Sequence, residues 1–174
     1  MQRHIRTRAA IVTVALVAAG AVTVGVSQAA PEQQSKPSAT KHAKKASKAE
    51  IAALFDGWNA ALQTGDSKKV ADRYAKDAVL LPTASPKIRT NHAEIVDYFD
   101  HFLLNKPKGT KIKSVINVLD SNSAIDAGLY VFNLTDPKTG EKKNVEARYT
   151  YEYEKRGGKW LIVNHHSSVL PAAG

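Results

Sequence analysis

The chain of 174 residues contains no cysteine. That absence removes disulfides and thiolate metal sites, so the fold must stand on its hydrophobic core. There is no Gly-x-Ser-x-Gly elbow, no phosphate loop and no dinucleotide fingerprint. The signatures of a serine hydrolase or a nucleotide-dependent enzyme are therefore missing. Metal ligands on one face of a strand recur at i and i+2, and no two histidines have that spacing. No metal and no cofactor is expected. Charge of one sign is also scarce where it would matter. The formal net charge is +9, but residues 49–174 hold 17 basic against 15 acidic side chains. The excess sits in the first 48 residues, and the rest has no broad footprint for nucleic acid.

There is one long uncharged run, Ala9 to Val26, preceded by Arg3, Arg6 and Arg8 and followed by Ser27-Gln28-Ala29. A basic start, an apolar stretch and small residues at −3 and −1 predict a signal peptide over 1–29, cleaved after Ala29. The expected location is the cell envelope or the exterior. The competing reading is an uncleaved anchor, since 18 residues lie near the lower limit for spanning a bilayer. Contact with a membrane is expected only in that case. Residues 30–47 are mainly Pro, Gln, Ser, Thr, Ala and Lys. With no large apolar side chain they read as a disordered basic linker. Residues 48–174 then form one domain.

Ser47 and Glu50 make a capping box, and Ile51, Leu54, Phe55, Trp58 and Leu62 follow at helical spacing. This predicts a helix over about 48–64. Asp66 or Ser67 caps a short second helix expected to carry Val70 and Tyr74. Ala78 to Pro82 reads as a short extended run. Asn91 and Glu94 cap a third helix with Ile95, Phe99, Phe102 and Leu103 on its apolar face. Beyond residue 110 the period changes to two. Segments 111–119, 124–134, 143–154 and 159–169 read as strands joined by short turns, hence an antiparallel meander. The expected fold is α+β, with N-terminal helices packed on an antiparallel sheet.

Candidate functional residues fall on the strands. Val145, Ala147, Tyr149, Tyr151 and Tyr153 share one face of the third, and Glu146, Arg148, Thr150, Glu152 and Glu154 the other. Arg148 is either a solvated partner of those carboxylates or a recognition group for a carboxylate ligand. Asp126 interrupts an apolar run, so it is either half-buried with a partner or at a sheet edge. The last strand ends His165-His166-Ser167-Ser168. Adjacent residues face opposite sides, so a regular strand admits one histidine to any cavity and only a bulge changes the parity.

The segments Asp56-Gly57-Trp58-Asn59, Tyr98-Phe99-Asp100-His101-Phe102-Leu103, Asp126 to Phe132, Arg148-Tyr149-Thr150, Gly158-Lys159-Trp160 and His165-His166-Ser167-Ser168 follow one another in a recognisable order. Across about 49–171 the chain resembles the calcium/calmodulin-dependent protein kinase II association domain, of the nuclear transport factor 2-like, SnoaL-like superfamily. The resemblance implies a cone of helices inside a strongly curved sheet, with a pocket at its open end. It also implies self-association into a dimer or larger ring, and a small carboxylate or apolar ligand. The hub domain's final strand reads His-x-His-Arg-Ser. Here Asn164 and Ser167 replace the first His and the Arg, while His166 and Ser168 match, which places those two inside the cone. The pocket candidates are thus His166, Ser168, Arg148, Tyr151, His165, Asp126, Trp58 and Tyr98. Neither a kinase domain nor a calmodulin-binding helix is present, and calmodulin is not an expected partner. The leading expectation is a non-catalytic binding and oligomerisation domain. The alternative is an enzyme of the ketosteroid-isomerase or polyketide-cyclase type, or a SnoaL-like oxidoreductase relative. It would use Asp126, His165 or His166 as acid or base, with Tyr98 or Tyr151 as donor.

Overall fold

The computed structural model describes residues 44–172. The expected signal peptide and linker residues 30–43 lie outside them. Of the linker's remainder, Lys45 donates to the Leu119 carbonyl at 2.8 Å and Ala46 packs against the core.

Capping decides where the helices start. The Glu50 N–H donates to Ser47 Oγ at 3.1 Å, and the Glu50 carboxylate accepts from the Ser47 N–H at 2.7 Å. This reciprocal pair opens α1 (Lys48–Gln63), which buries Ile51, Phe55, Trp58, Ala61 and Leu62 on one face. The Asp66 carboxylate accepts from the Lys68 and Lys69 N–H groups at the start of α2 (Ser67–Ala71). The expected extension of that helix to Tyr74 is corrected. The Ile162 N–H donates to the Arg73 carbonyl at 2.9 Å, and Tyr74 pairs with Ile162. A long-range ladder claims the segment, and β1 (Tyr74–Leu81) begins there. Asn91 caps α3 (His92–Phe102), which buries Ile95, Tyr98 and Phe99.

The strands β2 (Lys108–Val118), β3 (Ser123–Thr135), β4 (Lys142–Arg156) and β5 (Lys159–Val169) form the expected antiparallel meander. The last hairpin turns on Gly157 and Gly158 at φ +57° and +80°, a conformation that glycine adopts without a Cβ penalty. The sheet order is β1-β5-β4-β3-β2, with β1 parallel to β5. The expected all-antiparallel sheet is thus mixed at one edge. Local turn chemistry cannot reveal a pairing between segments about 85 residues apart.

One face of the sheet is apolar and carries Tyr130, Phe132, Tyr149, Tyr151 and Tyr153. The helices lie against it, so Phe55 meets Tyr149 at 6.3 Å and Trp58 meets Tyr151 at 5.7 Å between ring centres. Each fully buried aromatic contributes about 2–3 kcal/mol by removal from water. The helices inside the curved sheet form the cone, and the tyrosine row of β4 is its inner wall.

Candidate ligand cavity

Inside the cone lies a cavity of about 120 Å³. Its walls come from α1 (Trp58), α3 (Tyr98, Phe102), the sheet (Phe132, His165, Ser167) and the loop after β1. No lysine, arginine, aspartate or glutamate is among its lining residues. Its chemistry rests on the inward end of β5.

A bulge sets which residues point inward there. Tyr153 pairs with Ile162 and Glu152 with Asn164, leaving Val163 unpaired. Ile162 faces the core, so a regular strand would also bury 164, 166 and 168. The extra residue reverses the parity. His165 is 3% exposed and Ser167 8%, whereas His166 is exposed and Ser168 half-buried.

The buried imidazole is held by a short relay. The Trp58 indole N–H donates to the Tyr74 hydroxyl oxygen at 3.1 Å, and Tyr74 Oη lies 2.8 Å from His165 Nδ1. Among the described residues Nδ1 is the one acceptor within reach of the Tyr74 hydroxyl hydrogen, so we assign that hydrogen to Nδ1, which leaves a neutral His165 with its own hydrogen on Nε2. Burial, and secondarily the charge of neighbouring His166, push the imidazole down to about 3. The Tyr151 ring stacks on it at 4.1 Å and Trp58 meets it edge-on at 5.5 Å. His165 Nε2 has no hydrogen-bond partner. Two residues on, Ser167 Oγ accepts from the Tyr130 hydroxyl at 2.5 Å and lies 2.5 Å from Thr83 Oγ1. Burial first of all raises the Tyr98 and Tyr130 phenols, so both remain protonated donors.

The candidates separate into three groups. Trp58, Tyr98 and His165 line the cavity, and Tyr151 stands directly behind the imidazole. Asp126 is fully buried but does not line it. It accepts from Ser114 and from the Tyr149 hydroxyl, with Lys111 Nζ 3.7 Å away. This cluster ties β2, β3 and β4 together. Arg148, His166 and Ser168 belong to the outer surface: Arg148 is exposed and pairs in register with Ser168. The expected place of His166 and Ser168 inside the cone is corrected, Arg148 takes the solvated one of its two readings, and no arginine meets a histidine in the cavity. Sequence reasoning missed Ser167, Tyr130, Thr83 and Tyr74. Tyr130 shares the inward alternation of β3 with Asp126 and Phe132, a signal that could have found it.

The family model of the calcium/calmodulin dependent protein kinase II association domain matches residues 47–171. The chain belongs to this family. This association domain is 54% identical to a Xanthomonas campestris protein whose solved structure is described as such a domain. That match covers 76% of this chain and 99% of the other, with a TM-score of 0.70. The association domain of C. elegans CaMKII matches at 14% identity and a TM-score of 0.57, over 70% of this chain and 95% of that one. An NTF2-like protein with a cystatin-like fold from Novosphingobium aromaticivorans matches at 11% identity and a TM-score of 0.60. That match covers 72% of this chain and 83% of the other. These two show the shared fold alone. No curated protein matches. Within this association domain, the bulge at Val163 puts Ser167, where the hub motif has arginine, into the cavity wall.

Proposed function

We propose that the protein is an exported, non-catalytic association domain that assembles with copies of itself and holds a small, largely apolar ligand in its cone. The observation that carries the binding half is the cavity: aromatic, without a lining carboxylate, lysine or arginine, with a neutral imidazole in its wall and exposed Thr83 and Ala84 at its rim. Membership of the association-domain family supports self-association. So does the outer face of the sheet. There Ile125, Ala127, Leu129 and Val131 make a half-buried apolar row beside Val115, which is 52% exposed. Export rests on the signal pattern of residues 1–29.

The geometry weighs against the acid–base alternative. Asp126 lies outside the cavity and His166 on the outer surface. His165 takes up a proton only near pH 3, which makes it a weak base at neutrality. Light scattering of the purified protein over a wide concentration range tests the assembly. A dimer or larger ring is expected, and a monomer throughout would sink it. N-terminal sequencing of the secreted product is expected to begin at Ala30.

A further inference from the structure

Donors and acceptors in the cavity wall do not balance. His165 has Nδ1 occupied by Tyr74 and Nε2 without a partner, in a side chain 3% exposed. The second polar spot is the Ser167–Thr83 pair. Ser167 Oγ accepts the Tyr130 hydrogen, so the pair keeps two hydroxyl hydrogens of its own. One of these bridges Ser167 and Thr83, whichever is the donor. The other is left over. Two donors are thus unspent: the buried His165 Nε2–H, and a hydroxyl hydrogen that falls either on buried Ser167 or on Thr83, which is exposed and can give it to water. An unmade buried donor costs about 1–3 kcal/mol, which an occupant bearing an acceptor would recover.

Charge narrows the class. An anion would satisfy the donors but would enter a cavity with no lining cation. Burying an unpaired carboxylate is far more costly than burying a neutral acceptor. Arg89, the nearest buried cation, belongs to the adjoining polar groove with Ser85, Asp97 and His101. It lies 3.4 Å from the Asp97 carboxylate and over the Tyr98 ring at 5.9 Å. Size narrows it further. A dry cavity of about 150 Å³ accepts a benzene-sized molecule, so about 120 Å³ admits a single ring or a short chain.

We infer that the cavity selects a small neutral carbonyl compound, a single-ring ketone or its like. The carbonyl oxygen accepts from His165 Nε2–H or from the Ser167–Thr83 hydroxyls, and the ring packs among Trp58, Phe102 and Phe132. This rests on the reading of the cavity as a ligand site.

The test is a titration of the purified protein with three probes of one size: cyclohexanone, methylcyclohexane and cyclohexanecarboxylate. Binding is read by calorimetry, and the imidazole ¹⁵N spectrum reports on His165. Cyclohexanone is expected to bind about tenfold tighter than methylcyclohexane, the worth of one net hydrogen bond. The carboxylate is expected not to bind. The His165 Nε2–H signal is expected to shift with cyclohexanone alone. In His165→Phe and in the double variant Thr83→Val/Ser167→Ala the preference for the ketone shrinks while methylcyclohexane binding persists. Equal binding of ketone and hydrocarbon by the wild-type protein, with an unmoved imidazole signal, overturns the inference and leaves the cavity reading standing. Tightest binding of the carboxylate also overturns it. Failure of all three probes to bind overturns both. The wild-type titration and spectrum decide the matter even where a variant does not fold.

Discussion

At the scale of single residues, the core contains a hydrogen-bonded relay and, among the described residues, two buried tyrosine hydroxyls without a partner, those of Tyr151 and Tyr153. Trp58, Tyr74 and His165 depend on each other, since Tyr74 accepts from one and donates to the other. Tyr74→Phe keeps the ring and removes both bonds. It is expected to lower stability by about 2–4 kcal/mol, read from the urea midpoint, because two buried groups lose partners. Tyr151 is the converse: its hydroxyl is buried without a partner. Tyr151→Phe is expected to hold or raise the midpoint, by up to about 1 kcal/mol. His165 also gives the fold a pH dependence. Its folded value of about 3 lies below the ordinary 6.5, so the unfolded chain binds the extra proton between those values. The stability from neutral His165 is complete above pH 6.5 and is lost as the pH falls toward 3. The total loss is roughly 3–5 kcal/mol. Urea midpoints of wild type and His165→Phe, compared between pH 7 and pH 4, are expected to converge as the pH drops.

At the scale of elements, β2 is the free edge of the sheet and two features hold it. One is the cluster of Lys111 and Ser114 with Asp126 of β3 and Tyr149 of β4. The other is Gly128, where a Cβ would collide with the backbone carbonyl oxygen of Lys113. Gly128→Ala is expected to force the two strands apart at the irregular register between Lys111 and Lys113, at a cost of about 1–3 kcal/mol. A lowered melting temperature and faster amide exchange confined to β2 would be the signature. Most elements were legible in the sequence. Ser47–Glu50 and Asn91–Glu94 mark their helices because a cap is a local hydrogen bond. The range 159–169 emerges as read, between a two-glycine turn and a proline two residues beyond Val169. Tyr74 was misread as helical because its partner, Ile162, is distant in the chain.

At the scale of the whole molecule, the sheet has two unlike faces. The inner one is filled by helices. The outer one presents Ile125, Ala127, Leu129 and Val131, with Val115 beside them. In the proposed assembly this row, flanked by Glu146, Arg148 and Glu152 of β4, is the face that meets a second copy. Leu129→Glu is expected to shift the assembly toward monomer in light scattering without moving the cavity, since residue 129 faces away from Tyr130. Retained binding of cyclohexanone by the dissociated variant would show that assembly and ligand are independent properties of the two faces.

The sequence by itself determined the α+β order, the helix starts, the four-stranded meander and the tyrosine wall. These follow from caps, turns and periodicity, which act over a few residues. It also limited the cavity to one histidine, by strand parity. Only the tertiary structure decided which one. Val163 bulges within a strand paired on both sides, antiparallel to β4 and parallel to β1, and no local signal at 162–164 announces it. That one unpaired residue turns His166 out and His165 in. It brings His165 to Tyr74 and sets the neutral, donating imidazole in the wall of the cone.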